Sequence, residues 1–295
     1  MDGILNINKA SGITSYQVVA RVKRLSGERK AGHAGTLDPD AGGVLPICVG
    51  RATRTAEYFL DMSKTYLAEV ELGITTDSYD ASGQVTSRRD TSNVTSSMMT
   101  RALSKFSGLI WQTPPMFSAL KHRGTPLYRL ARAGITVERL RRPARIYRIE
   151  LKDFRPPVAT IEIECGRGTY IRSLAYDLGE ILGCGGMLKN LTRLRYGPFA
   201  ISDAVTLPAL EEAFRSGLAE QYLHPIDYAL SFIPAVIVDN EFAGHLKHGQ
   251  HLDTTVANGP PGETRLRVYS DAGQFVGIWR LDQENNSYLA EKVFG

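Results

Sequence analysis

Three side chains in this sequence stand where they can do chemistry. Asp38 lies in Gly32-His33-Ala34-Gly35-Thr36-Leu37-Asp38-Pro39, between an apolar residue and a proline, and glycine and proline continue through Gly42-Gly43-Val44-Leu45-Pro46. Glycine permits positive φ and close backbone approach while proline fixes φ, so the acid sits in a shaped segment. A carboxylate held this way can act as a nucleophile or a base; by turn chemistry alone the same residues also make an ordinary Asp-Pro turn. Tyr66 opens a segment in which Tyr66, Ala68, Val70 and Leu72 alternate with Leu67, Glu69 and Glu71. That is the pattern of a half-buried strand, where a phenol serves packing or proton transfer. Arg172 follows Gly166-Arg167-Gly168-Thr169-Tyr170-Ile171, and Ile171, Leu174, Ala175, Leu178, Ile181 and Leu182 have helical spacing. A helix is therefore expected to start near Thr169, with Arg172 in its first turn. A cation there is disfavoured by the helix dipole by about 0.3–1 kcal/mol. Arg172 either meets an anion at that helix start or extends to water.

The elements that position these groups follow from the same patterning. Residues 4–8 read as a short strand. Thr14-Ser15-Tyr16-Gln17 has the capping-box form, Val18, Val19, Val22 and Leu25 give an apolar stripe, and Gly27 is a natural stop. Residues 44–49 suit a buried strand leaving the Asp38 loop. Asp77, Asp80 and Gly83 mark a turn, with a polar run to about Ser97; a calcium loop would need more ligands at alternating spacing. Thr95 caps a helix carrying Met98, Met99, Ala102, Leu103 and Phe106. Pro114 and Pro115 shape a loop ending at Lys121, and residues 128–133 make a short helix. Residues 146–151 and 159–165 read as strands, the second with Ala159, Ile161, Ile163 and Cys165 on one face. Residues 206–217 form a capped helix, and residues 222–231 a connector.

Beyond Phe232 the texture changes to short strands at 236–238, 266–269, 274–281 and 288–294, with Gly259-Pro260-Pro261-Gly262 as a loop. This predicts a small β-barrel over residues 232–295 beside a larger unit over 1–231. His245, His248 and His251 recur every third residue and are expected to be solvated. The fold class is α+β: a central mixed, mostly antiparallel sheet flanked by helices, with a cleft, plus the C-terminal barrel.

The 295 residues carry Lys+Arg 35 against Asp+Glu 31, so net charge alone does not announce a polyanion. The cations are clustered, at residues 21–30, 121–148 and 193–195. Each cluster alone reads as a solvated face; three beside the candidate motifs point to an acidic polymer. Cys48, Cys165 and Cys184 are odd in number and far apart, with neither a disulfide framework nor zinc spacing, which suits a reducing cytoplasm. No apolar run approaches the roughly 18 residues of a membrane span.

Four motifs together resemble the pseudouridine synthases that act on the T loop of transfer RNA. The family's G-H-x-G-x-L-D-P segment reads Gly32-His33-Ala34-Gly35-Thr36-Leu37-Asp38-Pro39 here. Its K-x-Y reads Lys64-Thr65-Tyr66, and its P-P-x-x-S-A-x-K reads Pro114-Pro115-Met116-Phe117-Ser118-Ala119-Leu120-Lys121. Its G-T-Y-I-R reads Gly168-Thr169-Tyr170-Ile171-Arg172, followed by a family-like Leu191-Thr192-Arg193-Leu194-Arg195-Tyr196-Gly197-Pro198-Phe199. Gly42 departs from the pattern, where a hydroxyl-bearing residue is commoner; this bears on loop stiffness rather than on chemistry. The resemblance covers most of residues 2–200.

The resemblance implies Asp38 as nucleophile, Arg172 pairing with it, and Tyr66 as the active-site tyrosine. It implies that Tyr170 and Leu191 line the base pocket, that His33 fills the stack vacated by a flipped base, and that the C-terminal barrel is a PUA-like RNA-binding unit. The substrate would be uridine 55 in the T stem-loop of tRNA, and the enzyme would act as a monomer. Isomerising uridine neither adds nor removes atoms, so no cofactor or metal is expected. Other readings are an aspartyl-phosphate phosphatase using Asp38-Pro39-Asp40, a guide-RNA-dependent relative, and a tRNA-folding factor without catalysis. The first needs a buried apolar strand before the acid, where glycine-rich polar residues stand. A Thr36/His33/Asp38 triad fails because such groups converge from separate segments.

Overall fold

The computed structural model describes residues 1–254 and 263–294. The chain begins with β1 (Gly3–Lys9), α1 (Ser15–Ser26), β2 (Ala31–His33) and β3 (Gly42–Val49). After a 3₁₀ segment come β4 (Lys64–Leu72), β5 (Ile74–Thr76), β6 (Val85–Arg88), α2 (Ser96–Leu103) and β7 (Gly108–Gln112). Next are β8 (Lys121–His122), β9 (Thr125–Pro126), α3 (Leu127–Arg132), β10 (Arg142–Arg155), β11 (Val158–Cys165), α4 (Ile171–Leu182) and β12 (Gly186–Tyr196). Then follow β13 (Phe199–Ala200), β14 (Val205–Thr206), α5 (Leu207–Arg215) and β15 (Leu223–His224). The C-terminal part comprises β16 (Ala235–Val238), α6 (Asn240–Leu246), β17 (Leu252–Asp253), β18 (Arg265–Ser270), β19 (Phe275–Asp282) and β20 (Ser287–Val293).

The central sheet has 11 strands along the path β14-β1-β3-β12-β4-β11-β10-β7, with β13, β15 and β2 attached at the side. Among the described strands only β1–β14 and β3–β12 pair in parallel, so the sheet is mixed and mostly antiparallel. The capping box at Thr14 is present in full, and Gly27 closes α1 with φ 69°. The alternation of β4 and β11 puts Ala68, Val70, Ile161 and Ile163 under α2 and α4, in one cluster with Met99, Leu103, Leu174 and Leu178.

Strands β1 and β3 are buried on both faces. Leu5, Ile7, Leu45 and Ile47 face α1 and α5 with Val18, Val22 and Leu210. Ile4, Val44 and Cys48 face the other way, joining Phe59, Ile233 and Ile278. Ile278 lies on β19, so the C-terminal sheet covers the second face of β1 and β3. That sheet runs β16-β18-β19-β20-β17 as a five-stranded half-barrel around Trp279, Leu266, Val268 and Leu246.

Several local expectations change. The polar run after Asp80 contains β6, which pairs with β5. The connector after Tyr222 contains β15, an edge partner of β1. Helix α4 starts at Ile171, with Tyr170 as N-cap, rather than at Thr169. The loop expected at Gly259-Pro260-Pro261-Gly262 lies outside the described residues. His245, His248 and His251 are exposed.

Candidate active site

Asp38 sits in the loop between β2 and β3, and buried groups fix that loop from below. Ser15 Oγ accepts from the Leu37 N–H and donates to the Leu37 carbonyl, both at 3.0 Å. Lys9, 1% exposed, donates from Nζ to the carbonyls of Ala10, Ile13 and Pro39 at 2.9, 2.6 and 2.9 Å. Burial pulls this ammonium down to about 8, against Asp40 and Asp38. The loop re-enters the sheet at Gly43, whose φ is 96° and where a Cβ would stand 2.3 Å from the Arg193 carbonyl oxygen. Only glycine fits there.

Arg172 meets Asp38 side-on. Nε lies 3.0 Å from Oδ2 and Nη2 lies 3.2 Å from Oδ1, the bidentate arrangement that holds a carboxylate in one plane. Nη2 also donates to the Phe117 carbonyl at 2.9 Å, and Nη1 reaches Asp80 Oδ2 at 3.5 Å. The start of α4 is clamped to the loop after β7. Tyr170 N–H donates to Gln112 Oε1, Gln112 Nε2 donates to the Tyr170 carbonyl, and Ser173 Oγ donates to the Thr113 carbonyl. Arg172 is thus immobilised from three sides, with its side chain 7% exposed, while 44% of the Asp38 side chain remains open to the cleft.

Two carboxylates share this one guanidinium. Burial pushes the Asp38 carboxyl above its ordinary value, Arg172 opposes, and Asp80 and Asp40 add to the rise. Arg172 therefore orients Asp38 firmly, yet the net effect of the surroundings is to make the carboxyl harder to ionise.

Asp38 and Arg172 stand in a cleft of about 880 Å³, lined also by Tyr66, Asp80, Phe117, Ser118, Tyr128, Arg132, Tyr170 and Leu191. Tyr66 comes from β4 and Leu191 from the adjoining β12; Tyr170 comes from the α4 start across the cleft. Five of the six residues singled out in the sequence therefore converge. The sixth, His33, ends β2 opposite Ile47 and is not among the cleft-lining residues; its Nδ1 is buried without a partner. Burial lowers the His33 pKa, and Arg193 lowers it further.

Sequence reasoning missed two groups. Asp80 read as a turn residue, and its bonds to Ser78 Oγ and the Ser82 N–H and Oγ are those of a turn; nothing local signals its reach to Arg172. Arg193 read as part of a basic cluster that is either solvated or turned to an acidic polymer, but it is 1% exposed. The register of β12 on β4 shifts between Arg193 and Arg195, a bulge that turns the first inward and leaves the second exposed. From the basic arm, Arg139 and Arg141 donate to the carbonyls of Pro114 and Trp111. Among the described residues no three His, Cys, Asp or Glu side chains form a metal-binding group, and no helix is long and apolar enough to cross a membrane.

Comparison with known proteins fits this geometry. Residues 23–171 match the TruB family pseudouridylate synthase N-terminal domain, residues 172–231 the tRNA pseudouridylate synthase B C-terminal domain, and residues 234–286 the C-terminal domain of pseudouridine synthase II TruB. A tRNA pseudouridine synthase B of Dehalococcoides mccartyi is 47% identical over 294 residues, covering 100% of this chain and 97% of that protein. One from Pseudomonas aeruginosa is 43% identical over 287 residues, covering 96% of this chain and 93% of that protein. The crystal structure of a Cbf5-Nop10-Gar1 complex contains a chain with the same fold, at TM-score 0.77 and 26% identity, covering 99% of this chain and 84% of that one.

Proposed function

The chain belongs to the TruB family of pseudouridine synthases, and on that premise we propose that it converts uridine 55 in the T loop of tRNA to pseudouridine, with Asp38 as the nucleophile. The observation that carries this reading is the bidentate Asp38–Arg172 pair beside Tyr66 and Leu191 in one cleft. A base inside a folded T loop cannot reach such a cleft, so the nucleotide is flipped out, which costs a few kcal/mol. Asp38 attacks, the N1–C1′ bond breaks, and the retained uracil turns so that C5 joins C1′; Asp38 is released, C5 gives up its proton and N1 gains one. Tyr66 and Leu191 hold the loose base, and Tyr170 closes the opposite wall. His33, beneath the loop in the free protein, reaches the vacated stack only if that segment shifts on RNA binding. Residues 232–295 act as a PUA-like RNA-binding unit, and the enzyme works as a monomer on the T stem-loop without metal or cofactor.

The test is incubation of the full chain with an unmodified tRNA transcript, without any guide RNA, followed by mapping of pseudouridine. One pseudouridine in the T loop is expected. Modification only when a guide RNA is added would favour the guide-dependent reading. RNA binding with no product would favour a folding factor.

A further inference from the structure

Arg193 has no part in the chemistry described so far, yet its setting is unusual. Its Nε donates to the Val44 carbonyl at 2.6 Å and its Nη2 to the Gly35 carbonyl at 3.2 Å, on either side of the Asp38 loop. Among the described residues it forms no ion pair with a carboxylate. Its guanidinium lies 4.9 Å from the centre of the Tyr196 ring, with Lys64 Nζ 4.5 Å from the same ring. In the β12–β4 register Arg193 stands directly opposite Tyr66, so the two side chains share one face.

A desolvated cation without an acid is unfavourable. What it faces on β4 is a phenol that can become an anion. Asp38 from the loop and Cys165 from β11 both hinder the ionisation of Tyr66, and the Tyr196 phenol on β12 is close enough that Tyr66 hinders its ionisation in turn. Burial hinders Tyr66 most strongly, and Arg193 is the group that opposes it.

We propose that Arg193 is a positioning residue that aims the Tyr66 phenol at the uracil and stabilises its phenolate as the base that removes the C5 proton. This rests on the pseudouridine synthase reading above. In the step, the C5–H bond breaks, its electron pair restores the C5=C6 double bond, and the proton passes to the Tyr66 oxygen. The proton released earlier from the phenol is balanced by the one gained at N1, so uridine and pseudouridine keep the same composition. The same guanidinium holds Gly35 and Val44, which couples the base to the loop that carries Asp38.

The experiment is single-turnover release of tritium from C5-labelled uridine in a T stem-loop, from neutral to alkaline pH. It compares wild type, Arg193→Met, Arg193→Lys, and Arg193→Met carrying a fluorinated, more acidic tyrosine at position 66. Arg193→Met should react on the order of 10²-fold more slowly at neutral pH, the lower end of what a general base supplies. RNA affinity should change little, and the deficit should narrow as pH rises. Arg193→Lys should keep the wild-type rate to within a few-fold at every pH, and the fluorinated tyrosine should restore much of the lost rate. A deficit equal at every pH and unrelieved by the acidic tyrosine would overturn the proposal, leaving Arg193 as a brace for the loop. Should Arg193→Met fail to fold, Arg193→Lys decides: a pH-independent loss in that variant overturns it equally. Alkaline absorbance titration against Tyr66→Phe reads the phenol without any turnover. It should place Tyr66 at higher pH in Arg193→Met than in wild type, and an unmoved phenol would refute the pairing. If wild type releases no tritium, the synthase reading has failed, and this titration still judges the Arg193–Tyr66 pair.

Discussion

The C-terminal half-barrel and the cleft hold their cations in opposite ways. In the half-barrel, Arg265 meets Glu291 with Nε at 2.7 Å and Nη2 at 3.1 Å, Lys292 meets Glu57 at 2.8 Å, and Arg267 lies 4.0 Å from Asp227. Each of these three cations has an acid, which Arg280 on β19 lacks among the described residues, and part of each pair is open to water, where such contacts contribute about 0–1 kcal/mol. Around the cleft, Arg172 serves two carboxylates, and Lys9 bonds only to carbonyls. Arg193 has no acid among the described residues. Desolvating such charges costs several kcal/mol, offset only by close hydrogen bonding. The half-barrel pairs these cations at its surface; the region under the Asp38 loop accepts unfavourable burial to fix the backbone that carries Asp38.

The largest expected effect breaks the cleft at its centre. Asp38→Asn keeps the shape but is neither nucleophilic nor basic, so turnover should fall by at least about 10²-fold while tRNA binding persists. The sign of the pKa shift adds a second readout. The folded carboxyl is raised above its unfolded value, so ionised Asp38 weighs against folding at neutral pH, and that penalty fades as pH falls through the folded pKa. Asp38→Asn should therefore melt at the wild-type temperature or above it. Turnover within a few-fold of wild type would end the nucleophile assignment.

Arg172→Lys comes next. It keeps the charge but loses the fork, and the saturated rate should fall by roughly 10–100-fold with little change in affinity. Lost affinity with a normal saturated rate would make Arg172 a phosphate contact. Asp80→Asn should act more mildly and show in the pH profile. Asp80 pushes the Asp38 carboxyl up, so removing its charge should move the acid limb of the rate to lower pH. A limb that moves upward would mean that Asp80 matters chiefly by steadying Arg172.

The sequence exposed the convergent parts of this site unevenly. The Thr14 cap, the β4 and β11 alternation and the half-barrel strands are local patterns, and each appears where its spacing puts it. Asp38 and Arg172 stood out because a shaped loop and a cation at a helix start are locally odd. Asp80 did not, because its turn explains it fully and its second partner is distant in the chain. Arg193 misled for a related reason: Arg193-Leu194-Arg195 looks like a solvated run, and the bulge that separates the two arginines is set by pairing with β4. The joint burial of Ile4, Val44 and Ile278 was equally illegible, because it depends on how the half-barrel docks.

That docking sharpens the comparison through stability. Ile278 is 0% exposed in the cluster with Ile4 and Phe59, and Ile278→Ala should cost about 2–5 kcal/mol. Thermal melting should show the loss, while the saturated rate of the folded fraction on a minimal T stem-loop stays near wild type. A rate that falls with stability intact would mean that the half-barrel supports the cleft directly. Removing residues 232–295 outright would expose the second face of β1 and β3, so the point substitution is the cleaner probe.

The smallest effect is expected where the half-barrel is to meet RNA. Arg265, Arg267, Arg280 and Lys292 are all cations of that sheet, but three have the acid partners named above. Arg280 on β19 is exposed and forms no ion pair among the described residues, so its charge is available to a phosphate. Arg280→Gln should weaken full-length tRNA binding only slightly and reduce the dependence of log K on log salt by about 0.7–0.9, the share of one phosphate contact. Arg265→Gln should leave that slope alone, because its guanidinium is spent on Glu291, and should show instead as a modest drop in melting temperature. Binding of both variants would be measured across a salt series on full tRNA and on the minimal stem-loop. If Arg265→Gln flattened the slope as much as Arg280→Gln, the Glu291 pair would open on binding. The half-barrel would then also hold its charge ready for a ligand, and its contrast with the cleft would be one of degree.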